Sequence, residues 1–285
     1  MTQDLEKLKE WIGSRETDVD TVTVPAVHRL SATLDRSDPM PKMGDPLPVG
    51  WHFMLFPRVA RHSQIGADGH PERGDFLPPV PLPRRMFAGR RIRFVSDLRI
   101  GDEARRESVI KDVSVKQGRT GTMVFVTVQT DVSGPRGLAV SEEQDLVYRE
   151  AATPGAAPPA PQPAPAPGRA VWTRTVTPDP VMLFRYSALT FNSHRIHYDH
   201  PYVTGIEGYP DLVMNGGLTT LLVLELARTH GSTQVTHLAS RNVRPLFVNR
   251  PITFAGEPSA DNKTAKLWAL DQDGALALSA EAEFK

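Results

Sequence analysis

The chain has 285 residues, enough for two domains or one large one with a packed core. Its 33 Lys and Arg balance 33 Asp and Glu, with a pI near 7.2, which excludes nucleic acid or an anionic membrane held by charge alone. The absence of cysteine excludes disulfides, thiolate metal sites and a Cys nucleophile, and the acidic N-terminus and brief apolar runs give no bilayer-spanning segment, so a cytoplasmic protein with no membrane partner is expected.

In chain order, the first half opens with a helix or two and continues as strands at 91–98, 103–116, 122–130 and 138–149, with a hairpin turn at 118–121. Before these strands lies an apolar Pro-rich stretch, 77–83, expected as an ordered loop. Residues 152–168 hold seven prolines and no large apolar side chain, the composition of an extended linker that cannot repay its ordering entropy. It divides the chain into 1–151 and 169–285. In the second half Asp179 and Pro180 form a helix start, and Met182, Leu183, Tyr186 and Leu189 share one buried face. A polar loop follows, then 217–230, apolar on nearly every side and closed by Gly231, a helix that a sheet must wrap. Strands are expected at 235–248, 251–256, 264–270 and 275–284, with a turn at Asp273 and Gly274. Residues 21–39 and 175–195 also align through a shared Thr-Val-Thr, a helix-opening Pro and a Ser-Ala pair, with a two-residue insertion. The expected fold class is α+β: two copies of a long helix wrapped by an antiparallel sheet, side by side.

The densest polar cluster is Asn192-Ser-His-Arg-Ile-His-Tyr-Asp-His200. Its residue types allow a metal site through His194, His197, Asp199 and His200, a hydrogen-bonded loop, or general acid-base chemistry in which an amide and a neutral imidazole touch one water. HExxH spacing is absent.

At these residues the chain resembles the (R)-specific enoyl-thioester hydratases and dehydratases of the hotdog fold, the MaoC-like family. The family motif, roughly Asp-x-Asn-Pro-(Ile/Leu)-His-x-Asp, has the same five-residue step as Asn192 to His197, with Asn192 replacing the catalytic Asp, His194 the Asn and Arg195 the Pro. The 186–200 string, with Glu207-Gly-Tyr-Pro210, is similar to the type 2 3-hydroxyacyl-thioester dehydratases and to bacterial mesaconyl-C4-CoA and itaconyl-CoA hydratases, and 83–94 and 144–149 resemble that subgroup's first hotdog.

The resemblance implies a double hotdog, with 1–151 a degenerate unit, 152–168 the linker and 169–285 the catalytic unit. It implies a hydro-lyase acting on a short 2-enoyl-CoA, preferably a mesaconyl or itaconyl thioester. A fatty 3-hydroxyacyl-thioester dehydratase and a non-catalytic acyl-thioester binding protein are the alternatives. His197 would take a proton from a water held by Asn192, and a backbone N–H at Gly216 would stabilise the enolate. Asp199, Asn215, Gly217, Arg195, Arg241 and Arg244 are the expected substrate contacts, with Arg185 and Arg250 further candidates. Asp199 either orients His197 or caps a turn. Arg36 and Pro41 align with Asn192 and His197, so the first half should complete the acyl tunnel rather than react, with Trp51 and 53–56 placed in tunnel or core. No metal or cofactor is expected beyond the CoA thioester itself, and a homodimer is the expected further assembly.

Overall fold

The computed structural model describes residues 5–72, 74–118, 121–150 and 165–285. Most of the expected linker and the tip of the 118–121 turn lie outside the described residues.

Each half begins alike. A short edge strand, β1 (Arg15–Thr21) or β6 (Trp172–Val176), leads into a ten-residue helix, α1 (Val24–Thr33) or α2 (Pro180–Leu189). Thr23 caps α1 by accepting the Ala26 N–H, Asp179 caps α2 by accepting the Met182 N–H, and a proline occupies each first turn. After each helix the chain turns through a left-handed residue, Asp35 at φ 54° and Phe191 at φ 52°. The next N–H then donates back to the serine of the shared Ser-Ala pair, Arg36 to Ser31 at 3.1 Å and Asn192 to Ser187 at 2.8 Å. The internal repeat is therefore real as geometry, and Arg36 stands where the second half has Asn192.

The remaining strands are β2 (Arg84–Phe94), β3 (Glu103–Gly118), β4 (Gly121–Gly134), β5 (Gly137–Arg149), β7 (Val235–Asn242), β8 (Ile252–Pro258), β9 (Thr264–Leu270) and β10 (Leu276–Phe284). All ten form one sheet in the order β1-β3-β4-β5-β2-β7-β10-β9-β8-β6. Read outward from its centre, the same connectivity occurs twice. The halves join where β2 pairs antiparallel with β7, Gly89 through Arg93 opposite Arg241 through His237. A Cβ on Gly89 would lie 2.3 Å from the Ser240 carbonyl oxygen, so only glycine allows the two strands to meet there.

The long helix of the second half is α4 (Gly216–His230), buried continuously from Leu218 to Ala227 as its all-round apolar sequence requires. The short α3 (His200–Gly205) precedes it. In the first half the expected long helix is absent among the described residues: between α1 and β2 only the 3-10 turns Trp51–Met54 and His62–Gln64 form. Pro39, Pro41, Pro46, Pro48 and Pro57 deny that stretch an uninterrupted helical ladder. The first half packs against α4 instead. The Trp51 indole N–H donates to Glu225 at 3.0 Å, Arg36 pairs with the same carboxylate, and Val27, Leu30, Trp51, Ile92, Leu221 and Leu222 share one core. A single helix thus serves both units.

Three expectations shift. β2 begins seven residues earlier than 91, β7 ends at Asn242 rather than 248, and the edge strands β1 and β6 were not foreseen, because alternation on a strand at the sheet's rim is mostly polar and exposed. No helix among the described residues is long and apolar enough to cross a membrane.

Candidate active site

A cavity of about 780 Å³ lies where the halves meet. Tyr186, Asn192, His194, His197, Asn215, Gly216, Gly217 and Arg244 line it from the second half, and His52, Phe53, His70, Phe87, Arg90 and Glu142 from the first.

His197 ends the 3-10 turn Arg195–His197 and is buried. Its Nδ1 lies 2.7 Å from the Val213 carbonyl oxygen, which can only accept, so Nδ1 carries the proton and Nε2 is left as a lone pair. Burial pushes the imidazole down to about 4, and the nearby His70 adds to that, outweighing the opposing effect of the Val213 bond. His197 is a neutral base of fixed tautomer at neutral pH.

The α4 N-terminus opens on the same cavity. Thr23, Asp179 and Asp199 each cap their helices through a side-chain oxygen, whereas Asn215, the N-cap of α4, makes no such bond. Its amide nitrogen donates instead to Ser187 Oγ at 3.3 Å, and its Oδ1 is buried without a partner. The first N–H groups of α4 therefore remain available at the positive end of the helix dipole, an arrangement suited to a developing oxyanion. A Cβ on Gly217 would meet the Tyr186 hydroxyl at 2.6 Å, and one on Gly216 would meet Phe87 Cδ1 at 3.2 Å. Both glycines keep the helix start close to its neighbours. Burial pushes the Tyr186 hydroxyl up to about 12, so it stays a donor in the cavity wall.

Asn192 also faces the cavity, its position fixed by the turn after α2. Its Oδ1 accepts the His194 N–H at 3.0 Å, which identifies the oxygen and leaves the NH₂ as the group that can donate to a water. Sequence reasoning missed what faces this segment. A loop of the first half docks on it: Arg195 N–H donates to Asp68 O at 2.9 Å and Ser193 Oγ to Gly69 O at 2.5 Å. Gly69, at φ +89°, would place a Cβ 2.0 Å from the Ser193 oxygen. The loop delivers His70, whose Nδ1 lies 3.1 Å from Asp68 and whose ring centroid lies 4.0 Å from that of His194. Burial disfavours the Asp68 carboxylate, but its bonds to His70 prevail and hold it below the usual range. Burial, with His70 and His197 close by, likewise holds His194 well below the ordinary histidine range. Asp68, His70 and His194 offer ligand atoms within 4.8 Å of one another, a set that shares only His194 with the metal reading of the sequence.

Several expected contacts lie elsewhere. Asp199 neither orients His197 nor lines the cavity: it accepts from Arg195 at 2.8 and 2.9 Å and caps α3 through the Tyr202 N–H at 3.1 Å. Arg195 is committed to Asp199 and to the Ala67 carbonyl. Arg185 and Arg241 are exposed and outside the cavity, and Arg250 lies over the Phe247 ring. Of the five arginines only Arg244 reaches the wall, with Asp271 at 2.8 Å. Trp51 belongs to the core, while Phe53, Leu55 and Phe56 line the cavity. No local sequence signal marks His70, Arg90 or Glu142, because their relation to the site exists only across the interface between halves.

Residues 50–248 match the family described as hydroxyacyl-thioester dehydratase type 2. The chain is 47% identical over 273 residues to the mesaconyl-C(4)-CoA hydratase of Chloroflexus aurantiacus, covering 96% of each chain. It is 27% identical to the mitochondrial hydroxyacyl-thioester dehydratase type 2 of Schizosaccharomyces pombe, covering 87% of this chain and 90% of that one. Among solved structures, a MaoC-like dehydratase superimposes with a TM-score of 0.72 at 14% identity over 97% and 99% of the two chains. A Mycobacterium tuberculosis protein described as a double hotdog fold gives 0.54 at 12% identity over 98% and 97%. These likenesses identify the fold as a double hotdog.

Proposed function

The chain belongs to the hydroxyacyl-thioester dehydratase type 2 family, and from that premise we propose that it is a hydratase adding water to a short dicarboxylic 2-enoyl-CoA, mesaconyl-C4-CoA or itaconyl-CoA. The observation that carries the reading is 47% identity over 96% of the chain to a mesaconyl-C4-CoA hydratase. The cavity supplies a chemistry that fits. With mesaconyl-C4-CoA, whose double bond is conjugated with the thioester, His197 Nε2 takes a proton from a water whose oxygen receives the Asn192 NH₂, the water oxygen bonds to the β-carbon, and the electron pair of the double bond passes toward the thioester oxygen. The free N–H groups at Gly216 and Gly217 face that oxygen, and the proton on His197 then passes to the α-carbon, so atoms and charge balance. Besides water, the CoA thioester is the only small molecule this scheme requires. Arg244 belongs to the proposed substrate contacts, as do Asn215 and Gly217.

A cytoplasmic enzyme that pairs into a homodimer is part of the same proposal. Val181, Phe184 and Phe191, 60%, 64% and 58% exposed on and just after α2, support such pairing. The test is to incubate the protein with mesaconyl-C4-CoA, follow the enoyl-thioester absorbance and identify the product by mass. Loss of absorbance with gain of one water is expected; an unchanged thioester, or release of free CoA, would overturn the reading.

A further inference from the structure

Arg90 on β2 is buried, its side chain only 8% exposed, yet it belongs to the cavity wall. Its guanidinium carbon lies over two rings, 4.2 Å from the centroid of Phe53 and 4.5 Å from that of Phe87. Contact with two ring faces holds the cation by cation–π attraction without using up its N–H groups. Nε makes no hydrogen bond. The nearest acid, Glu142, stands 3.4 Å from Nη1, and the same carboxylate lies 3.6 Å from His52 Nε2, which also lacks a hydrogen bond. Burial disfavours the Glu142 carboxylate, but Arg90 and His52 outweigh it and keep it ionised.

A buried guanidinium has five donors, and leaving them unmatched is costly. Arg58 and Arg106, also in the wall, donate to Glu16 and Asp18. Arg244 does the same with Asp271. Arg90 differs from these three in holding its acid at a distance, Glu142 standing 3.4 Å from Nη1 without a hydrogen bond. It is also tied to the reacting end, since the Phe87 ring against which it stacks is the ring that a Cβ on Gly216 would touch at 3.2 Å. One aromatic ring thus separates the open N–H groups of α4 from the guanidinium, a separation suited to a short acyl chain with a charge at its far end.

The geometry points to a carboxylate subsite in the first half: Arg90, held by Phe53 and Phe87 and flanked by Glu142 and His52, receives the free carboxylate of the acyl group. This deepens the dicarboxylic reading above and rests on it. Specificity is then set by the unit that holds none of the proton-transferring groups. Glu142 keeps the cation oriented before substrate binds and stands beside one terminal nitrogen, so the other terminal nitrogen is left for the acyl carboxylate. An acyl group with a methyl there would leave the guanidinium unmatched and bind less well.

The test uses inhibitors that cannot be hydrated, succinyl-CoA with the carboxylate and butyryl-CoA without it, measured as competitive Ki values against mesaconyl-C4-CoA. The wild-type protein should bind succinyl-CoA at least about tenfold tighter, and Arg90→Met should bring the ratio to near one. If the single variant does not fold because Glu142 loses its counter-charge, Arg90→Met combined with Glu142→Gln gives the same reading. A wild-type preference that survives in the variant places the subsite elsewhere and overturns this inference while leaving the function intact. A wild-type protein that neither prefers succinyl-CoA nor hydrates mesaconyl-C4-CoA better than crotonyl-CoA overturns the dicarboxylic reading itself, and the subsite with it.

Discussion

Which nitrogen of His197 can take a proton is decided by the Val213 carbonyl, and its readiness to do so by burial. With the imidazole at about 4 instead of the ordinary 6.5, kcat/KM should rise with pH through about 4 and be flat by neutrality. The same shift affects stability: between about 6.5 and about 4 the unfolded chain binds a proton that the folded one does not, so stability falls as pH drops through that window. An acidic limb near 6.5 in the kcat/KM profile would contradict a buried His197 as base. His197→Ala should lower turnover by about 10² to 10⁴ with the fold retained, and full activity in that variant would remove the mechanism. Asn192→Ala should slow turnover with little change of pH profile, while Asn192→Asp should keep activity and add an acidic limb of its own; a normal Ala variant beside an inert Asp one would make Asn192 a packing residue. Asn192 and His197 were legible because one short segment carries both. The arginines were not, since what decides their use is a partner far along the chain, Asp271 for Arg244 and Glu142 for Arg90.

At the scale of elements, α4 was visible in sequence as an apolar run closed by glycine, but its double service was not. Glu225 lies on this helix, 2% exposed, and holds Trp51 and Arg36 of the first half together with Arg228. In the sequence it is the one acidic residue of this apolar helix. Because Arg36 stands at the repeat position of Asn192, the position that carries the proposed water-holding amide in one half serves as a structural anchor in the other. Glu225→Ala removes the shared acceptor and should cost about 3 to 5 kcal/mol in urea unfolding, the usual penalty for breaking a buried ion pair from one side. An unchanged midpoint and slope would show that the anchor contributes nothing. The missing first-half helix was foreseeable from Pro39, Pro41, Pro46 and Pro48, which outweigh the expectation of symmetry drawn from the repeat.

For the whole molecule, the duplicated connectivity and the single sheet mean that neither half is complete alone. Residues 169–285 by themselves would leave the β2-facing edge of β7 unpaired and uncover the apolar face of α4 around Leu221 and Leu222, so the fragment should aggregate or be inactive, as judged by sizing chromatography and hydration assays. A soluble, active fragment would contradict the joint site. The α+β class and the duplication were readable from patterning, whereas the residues the first half contributes to the cavity were not, since none of them forms a motif. Hydration of a short dicarboxylic enoyl thioester in this shared cavity is tested most directly by the wild-type ratio of kcat/KM for mesaconyl-C4-CoA over crotonyl-CoA. A ratio of at least about ten is expected, or ~1.4 kcal/mol of transition-state binding. Equal values on crotonyl-CoA and on longer enoyl-CoAs would contradict it and favour a fatty 3-hydroxyacyl-thioester dehydratase.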